Sequence, residues 1–189
     1  MADNPNLKTN IECIIEKYSK LWIERKFAKN SLLYKIGKPI VEIFYCKKGI
    51  TRIYSEHKQQ NKVEKEITRG FFFENEVVVP IMALTKNTPV FVNIETIEDC
   101  IMQVITLEDL KKIEEQEPVL VKDMLIDVHN NVLQHFYNYQ LLNSYDTKTR
   151  IKELFKMYPP LKDVKNEYLA SLLGKDPLHL FKIRKELGI

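Results

Sequence analysis

Long apolar runs are missing from this chain. No stretch of its 189 residues approaches the roughly 20 apolar residues of a membrane-crossing helix, and the start, MADNPNLKTN, lacks the apolar core of a secretion signal. The expected setting is the cytoplasm, with no membrane partner. Cysteine is scarce: Cys13, Cys46 and Cys100 are odd in number, far apart, and form no CxxC pair or ligand cluster. That argues against a disulfide framework, a zinc site or an iron–sulfur cluster, and leaves buried structural thiols as the reading. The four histidines, His57, His129, His135 and His179, show no metal-ligand spacing. No glycine-rich phosphate loop and no nucleophile motif is present, so neither an enzyme nor a cofactor is expected. Internal repeats and low-complexity tracts are also lacking.

What is present is the composition of a soluble globular protein, 44% hydrophobic and 29% charged. The net charge of +3 is unevenly placed. From Asp146 onward there are ten Lys/Arg against six Asp/Glu, whereas the preceding residues carry 19 against 20. A basic tail behind a neutral body suits contact with a polyanion, although solvated basic faces are common.

Apolar positions at helical spacing (Ile11, Ile14, Ile15, Tyr18, Leu21) predict a first helix over about Leu7–Leu21. From Ile23 to about Thr106 the pattern shortens to runs rich in β-branched and aromatic residues: Ile40–Cys46, Ile50–Tyr54, Val77–Ile81, Val90–Ile97 and Ile101–Ile105. Lys47-Lys48-Gly49 suits a turn, and the polar Ser55–Glu66 suits a hairpin tip flanked by strand ends. This is an all-β block, a small barrel or roll. Thr106 with Asp109 three residues on marks a helix start. Over Glu117–Asn143, Val121, Leu125, Val128, Val132, His135, Tyr139 and Leu142 recur at spacings of 4, 3, 4, 3, 4 and 3, which makes a three-heptad dimer seam. Met124, Leu133, Phe136 and Leu141 form a second apolar set, expected to pack on the β block. A long helix buried within one chain is the competing reading. His135 is either a pH-sensitive element of the seam or, more commonly for such a residue, a packed and hydrogen-bonded side chain. Asp146 or Thr147 can cap a following helix that runs to about Met157 and ends before Pro159-Pro160.

The segment Asn166–Ile189, NEYLASLLGKDPLHLFKIRKELGI, carries two short helical runs around a glycine. Leu169, Ala170, Leu173, Gly174, Leu180 and Ile183 fall where a helix-turn-helix needs apolar, tiny, apolar, turn, apolar and apolar residues. Such a second helix can enter a DNA major groove. Lys175 stands where an apolar residue is usual, and Leu178 and Phe181 stand where polar, DNA-facing residues are expected. An αα-hairpin that only packs is the alternative.

Helix, β roll, long helix and helix-turn-helix follow in that order, and the chain resembles the CRP/FNR family of transcription regulators, especially its short Bacteroidetes-like members. The resemblance rests on Lys26-Phe27 with Asn30–Leu33, on Lys48–Tyr54 (KGITRIY), on Gly70–Glu76 (GFFFENE), on Arg150–Leu154 with Tyr158-Pro159, and on Tyr168–Gly174 and Lys182–Leu187. It implies a ligand-gated homodimer whose two readers meet half-sites about one DNA turn apart. Family members that bind cyclic nucleotides carry a Gly-Glu pair for the ribose and an Arg-Ser or Arg-Thr pair for the phosphate. Glu74 or Glu76 can take the carboxylate role here, but Phe73 and Asn75 replace the glycine. No arginine occurs in the second stretch, Asn87–Glu95. A buried phosphate without a counter-charge costs several kcal/mol, so the effector is expected not to be a cyclic nucleotide. The candidate effector pocket is Phe72, Glu74, Glu76 and Phe91, either for another small molecule or as a filled core.

Against the family's recognition helix, Leu178 replaces a Glu, Phe181 a small polar residue, and Lys182 the Arg that grips guanine. Lys165, Lys175, His179, Lys182 and Lys185 remain as candidate contacts to double-stranded DNA. The reading is an α+β chain: a jelly-roll-like, cyclic-nucleotide-binding-domain-like β roll (1–116), a dimerisation helix (117–145) and a helix-turn-helix domain without a full wing (146–189). The function the resemblance implies is DNA-binding transcriptional regulation. The alternative is a degenerate sensor or scaffold that binds a protein partner or small apolar ligand.

Overall fold

The structure, a computed structural model, describes residues 9–59 and 62–189. It opens on α1, Asn10–Lys17, entered through a full capping box: Thr9 accepts from the Glu12 amide while the Glu12 carboxylate accepts from the Thr9 amide at 2.9 Å. Ile11 and Ile14 form its buried stripe. The helix is shorter than the apolar spacing suggests, because Tyr18 leaves helical geometry (φ −113°, ψ 34°).

Eight strands follow among the described residues: β1 (Ile23–Phe27), β2 (Leu32–Tyr34), β3 (Glu42–Lys48), β4 (Thr51–Gln59), β5 (Lys62–Phe72), β6 (Val77–Val78), β7 (Asn93–Thr96) and β8 (Cys100–Thr106). They make two four-stranded sheets in the orders β1-β8-β3-β6 and β2-β7-β4-β5. In the first sheet β8 is central, running antiparallel to β1 (Ile23 opposite Val104) and to β3 (Ile43 opposite Ile105). β8 buries Cys100, Met102 and Val104 at every second position, as a strand with one covered face must. β3 buries Ile43 through Cys46 without alternation, so both of its faces are covered. Phe44 is gripped edge-on by Phe27 (5.7 Å) and Tyr34 (5.3 Å). The Tyr34 hydroxyl lies 2.8 Å from the Glu42 carbonyl and 3.1 Å from that of Val78, and burial holds its pKa well above the ordinary value.

The β3–β4 turn at Lys47-Lys48-Gly49 falls where the sequence puts it. Gly49 sits at φ +105°, and a Cβ there would lie 2.5 Å from the Cys100 sulfur. The expected hairpin is also present, although its tip at residues 60–61 lies outside the described residues. Two expectations need correction. The Val77–Ile81 run ends as a strand at Val78, and Ile81–Lys86 is a short helix, α2, closed by Asn87 in the left-handed region. Pro80 explains the switch: it has no N–H for a strand ladder, and it opens a helix instead. Cys46 and Cys100 are buried, with burial pushing their thiols up to about 12 and about 11, but Cys13 is exposed and is no structural thiol.

The rest is helical: α3 (Leu107–Gln116), α4 (Pro118–Leu142), α5 (Thr147–Met157), a 3-10 turn (Pro159–Asp163), α6 (Asn166–Leu173) and α7 (Pro177–Leu187). Thr106 caps α3 by accepting from the Asp109 amide, and Asp146 caps α5 by accepting from the Lys148 and Thr149 amides. The chain forms two compact units, one of residues up to Thr51 with Phe71–Val132, the other of Arg52–Gly70 with Leu133–Ile189. No helix among the described residues is long and apolar enough to cross a membrane.

Candidate nucleic-acid interface

Helices α5, α6 and α7 share a small core of their own. Ile151, Leu154 and Phe155 from α5, Leu161 and Val164 from the turn, Leu169, Ala170 and Leu173 from α6, and Leu180 and Ile183 from α7 are all buried. Ala170 is fully enclosed, as the tiny residue at a steep helix crossing should be. Gly174 ends α6 in the left-handed conformation (φ 64°, ψ 36°), and the Lys175 amide reaches back to the Ala170 carbonyl at 2.8 Å. Asp176 then opens α7, its carboxylate accepting from the Leu178 and His179 amides at 2.9 and 3.0 Å, with Pro177 in the first turn. The sequence Gly-Lys-Asp-Pro is therefore a stop signal and a start signal back to back.

With Leu180 and Ile183 turned inward, residues three and four apart on the other side of α7 face solvent. Leu178, Phe181, Lys182 and Lys185 occupy that outward face, with His179 on its flank; all five are exposed. Lys175 is exposed in the turn, and Lys165 is exposed at the start of α6, its ammonium 5.6 Å from the Tyr168 ring. The one arginine of α7 is oriented differently. Arg184 donates to the Asn166 side chain (2.7 Å), to the Lys162 carbonyl (2.6 Å) and to the Ile189 carbonyl (3.4 Å), and it lies over the Phe155 ring. It ties α7 to the preceding segments and offers no fork to a base.

A second cluster has no counterpart in the sequence reading. Arg52 on β4 is only 2% exposed. Its guanidinium lies between the Tyr54 ring (4.4 Å) and the Tyr168 ring of α6 (4.1 Å), with Nε donating to Thr68 Oγ1 (3.0 Å) and a terminal nitrogen to Glu66 (2.8 Å). Beside it, the Ser171 hydroxyl accepts from the Thr68 amide (2.9 Å) and lies 3.4 Å from the Glu66 carbonyl. The first helix of the helix-turn-helix is thereby fastened to the β4–β5 hairpin. A signal for it exists in the sequence: Ile50, Arg52 and Tyr54 share strand parity, so a buried Ile50 and Tyr54 require a buried Arg52.

On α4, Val121, Val128 and Leu142 of the expected seam are buried within the chain itself, as is Met124. Leu125, Val132, His135 and Tyr139 are half-buried. The apolar side chains α4 leaves uncovered are Val119, Ile126, Leu133, Phe136, Tyr137 and Leu141. Leu133, Phe136 and Leu141 are therefore not packing residues as expected. Two apolar stripes of similar period run along one helix, and spacing alone does not say which of them meets the chain's own core. His135 is packed and hydrogen-bonded, its Nδ1 2.9 Å from the Tyr158 hydroxyl and its ring stacked on Tyr139.

In the candidate effector region Phe72 is buried and Phe91 is exposed. Glu74 accepts from the Gly49 amide at 3.2 Å. Glu76 accepts from the Phe73 amide at 2.9 Å and from the Asn131 side chain at 3.3 Å. Both carboxylates bind their own chain.

No protein-family model matches the sequence, and neither does any curated protein. Solved structures do match over nearly the whole chain. The c-di-GMP-responsive global regulator CLP of Xanthomonas campestris superposes with a TM-score of 0.67 at 18% identity, covering 94% of this chain and 91% of that one. A protein assigned to the CRP/FNR transcriptional regulators, from Eubacterium rectale, gives 0.66 at 15%, covering 97% and 84%. A cyclic-nucleotide-binding-domain protein from Listeria monocytogenes gives 0.67 at 14%, covering 94% and 90%. The fold of this chain is that of the CRP/FNR regulators and cyclic-nucleotide-binding proteins.

Proposed function

We propose that the chain is a DNA-binding transcriptional regulator of the CRP/FNR type that acts as a homodimer and does not answer to a cyclic nucleotide. The observation that carries this reading is the second helix of the helix-turn-helix. α7 buries Leu180 and Ile183 and turns outward a face on which Lys182 and Lys185 are exposed, with His179 and Lys175 beside it. Lysines on the exposed face of such a helix meet phosphates and base edges in a major groove. In this reading residues 1–116 form the sensor, 117–145 the dimer helix and 146–189 the reader. The partner copy packs on the uncovered α4 stripe through Ile126, Leu133 and Phe136, spaced seven and three residues apart.

The effector argument is electrostatic. Glu74 and Glu76 are engaged by backbone and side-chain donors of their own unit. The stretch Asn87–Glu95 supplies no arginine for a phosphate. A small apolar molecule remains the chemistry compatible with this region.

The test is duplex selection with purified protein from a random pool, followed by a salt titration on the enriched sequence. A dimer with three lysines per reader on phosphates releases about six counterions, so log K should fall with log salt at a slope of about −5. That is roughly a thousandfold loss of affinity between 50 and 200 mM salt. Enrichment of a two-fold-symmetric site is expected. Equal binding to all duplexes, or none at low salt, overturns the reading. Stabilisation by micromolar cyclic AMP in a thermal melt overturns the effector argument.

A further inference from the structure

The outward face of α7 is unusual in being partly apolar. Leu178 is 71% exposed and Phe181 is 55% exposed, three residues apart in the first two turns of the helix. Large apolar side chains held in water on a surface otherwise lined by Lys182 and Lys185 call for an apolar partner set within a polyanion. The major groove of DNA meets that description. Phosphates flank it, and the one apolar group on its floor is the thymine C5-methyl. The groove-reading alternatives are reduced as well. Arg184, the residue type that grips guanine bidentately, is held by Asn166, Lys162 and Ile189.

We propose that Leu178 and Phe181 are specificity-determining residues that read thymine methyl groups, so that each half-site carries T·A pairs where α7 enters the groove and Lys182 and Lys185 hold the flanking phosphates. This rests on the DNA-binding reading above and adds which bases are chosen and by which atoms. Each side chain covers one methyl per half-site, and a two-fold-symmetric dimer covers four. Burying one methyl is worth about fourfold in affinity, and four together roughly a hundredfold or more.

The experiment replaces thymine by deoxyuridine in the selected duplex, position by position, which removes the methyl and nothing else. Binding of the full-length protein is measured with thymine and with uracil duplexes, for the parent and for Leu178→Ala and Phe181→Ala. The expected result is a loss of about fourfold at each of two positions per half-site. Each variant should erase the loss at its own position while binding the fully uracil duplex as the parent does. A parent that binds thymine and uracil duplexes alike overturns the inference and leaves the regulator reading standing. In that case, if both variants also keep full DNA affinity, the apolar pair faces a protein instead. No binding to any duplex at low salt overturns both readings. Both residues are exposed, so the variants keep the fold, and a melting curve verifies this.

Discussion

Arg52→Met is the most informative single change in the unit formed by Arg52–Gly70 and Leu133–Ile189. The methionine replaces the stem of the buried side chain but removes a guanidinium held between Tyr54 and Tyr168 and bonded to Thr68 and Glu66. Each desolvated cation–π contact is worth about 2 kcal/mol and each hydrogen bond to the charge about 1.5–3 kcal/mol. Against this stands the cost of keeping an arginine out of water, several kcal/mol that the variant no longer bears. Glu66 is 45% exposed, so water can solvate its freed carboxylate. The net expectation is a loss of about 2–4 kcal/mol. For a chain of this length that is about 4–16 °C in Tm. Arg52→Lys keeps the charge but not the planar fork, and should lose about half as much. The decisive assay is a double-mutant cycle of Arg52→Met with Tyr168→Leu, read by urea denaturation. Contact at 4.1 Å predicts a coupling of about 1–2 kcal/mol. Additive effects, within about 0.4 kcal/mol, would refute the sandwich as an energetic link between the hairpin and α6.

Four further outcomes follow from the packing. Gly49→Ala should destabilise the protein by about 3–5 kcal/mol, because φ +105° strains any side chain and the new Cβ would sit 2.5 Å from the Cys100 sulfur; an unchanged melting temperature would contradict this. Leu133→Glu should leave monomer stability nearly intact while dissociating the proposed dimer in light scattering, whereas Val128→Glu should unfold the chain, since Leu133 is exposed and Val128 is buried. The opposite pattern would restore Val128 to a subunit seam. At pH 8 a thiol reagent should modify Cys13 in the native protein and leave Cys46 and Cys100 untouched. The buried thiols keep their protons in the fold up to about 12 and about 11, while the unfolded chain ionises near 9.0. Stability should therefore fall as pH rises above 9, and replacing Cys46 by Ala should flatten that decline.

Much of this architecture is legible in the sequence because several signals agree at once. Thr106 and Asp146 are capping side chains followed by apolar periodicity, and each opens a helix in the structure. Leu169, Ala170, Gly174, Leu180 and Ile183 define the helix-turn-helix because each obeys a steric rule that few residue types satisfy. Legibility fails where two arrangements share one pattern. On α4, Val121-Met124-Val128 and Ile126-Leu133 are equally plausible core stripes by period, and only the folded chain decides between them by burying the first. The Val77–Ile81 run reads as one strand because Val77-Val78-Val79 is β-branched, and Pro80 can end a strand or open a helix with equal ease. The Arg52 cluster is hidden because its partners, Glu66 and Tyr168, are 14 and 116 residues away, and the folded chain is what brings them together. The inward turn of Arg184 is likewise a tertiary fact, fixed by Asn166 and Lys162.

Ser171 has a consequence beyond holding α6. β5 is the last strand of its sheet, and the serine hydroxyl occupies the Thr68 amide and stands beside the Glu66 carbonyl, both of which another chain could otherwise recruit. One oxygen atom thus acts as a guard against strand-to-strand templating. Substitutions that loosen α6 would first be noticed as turbidity during purification.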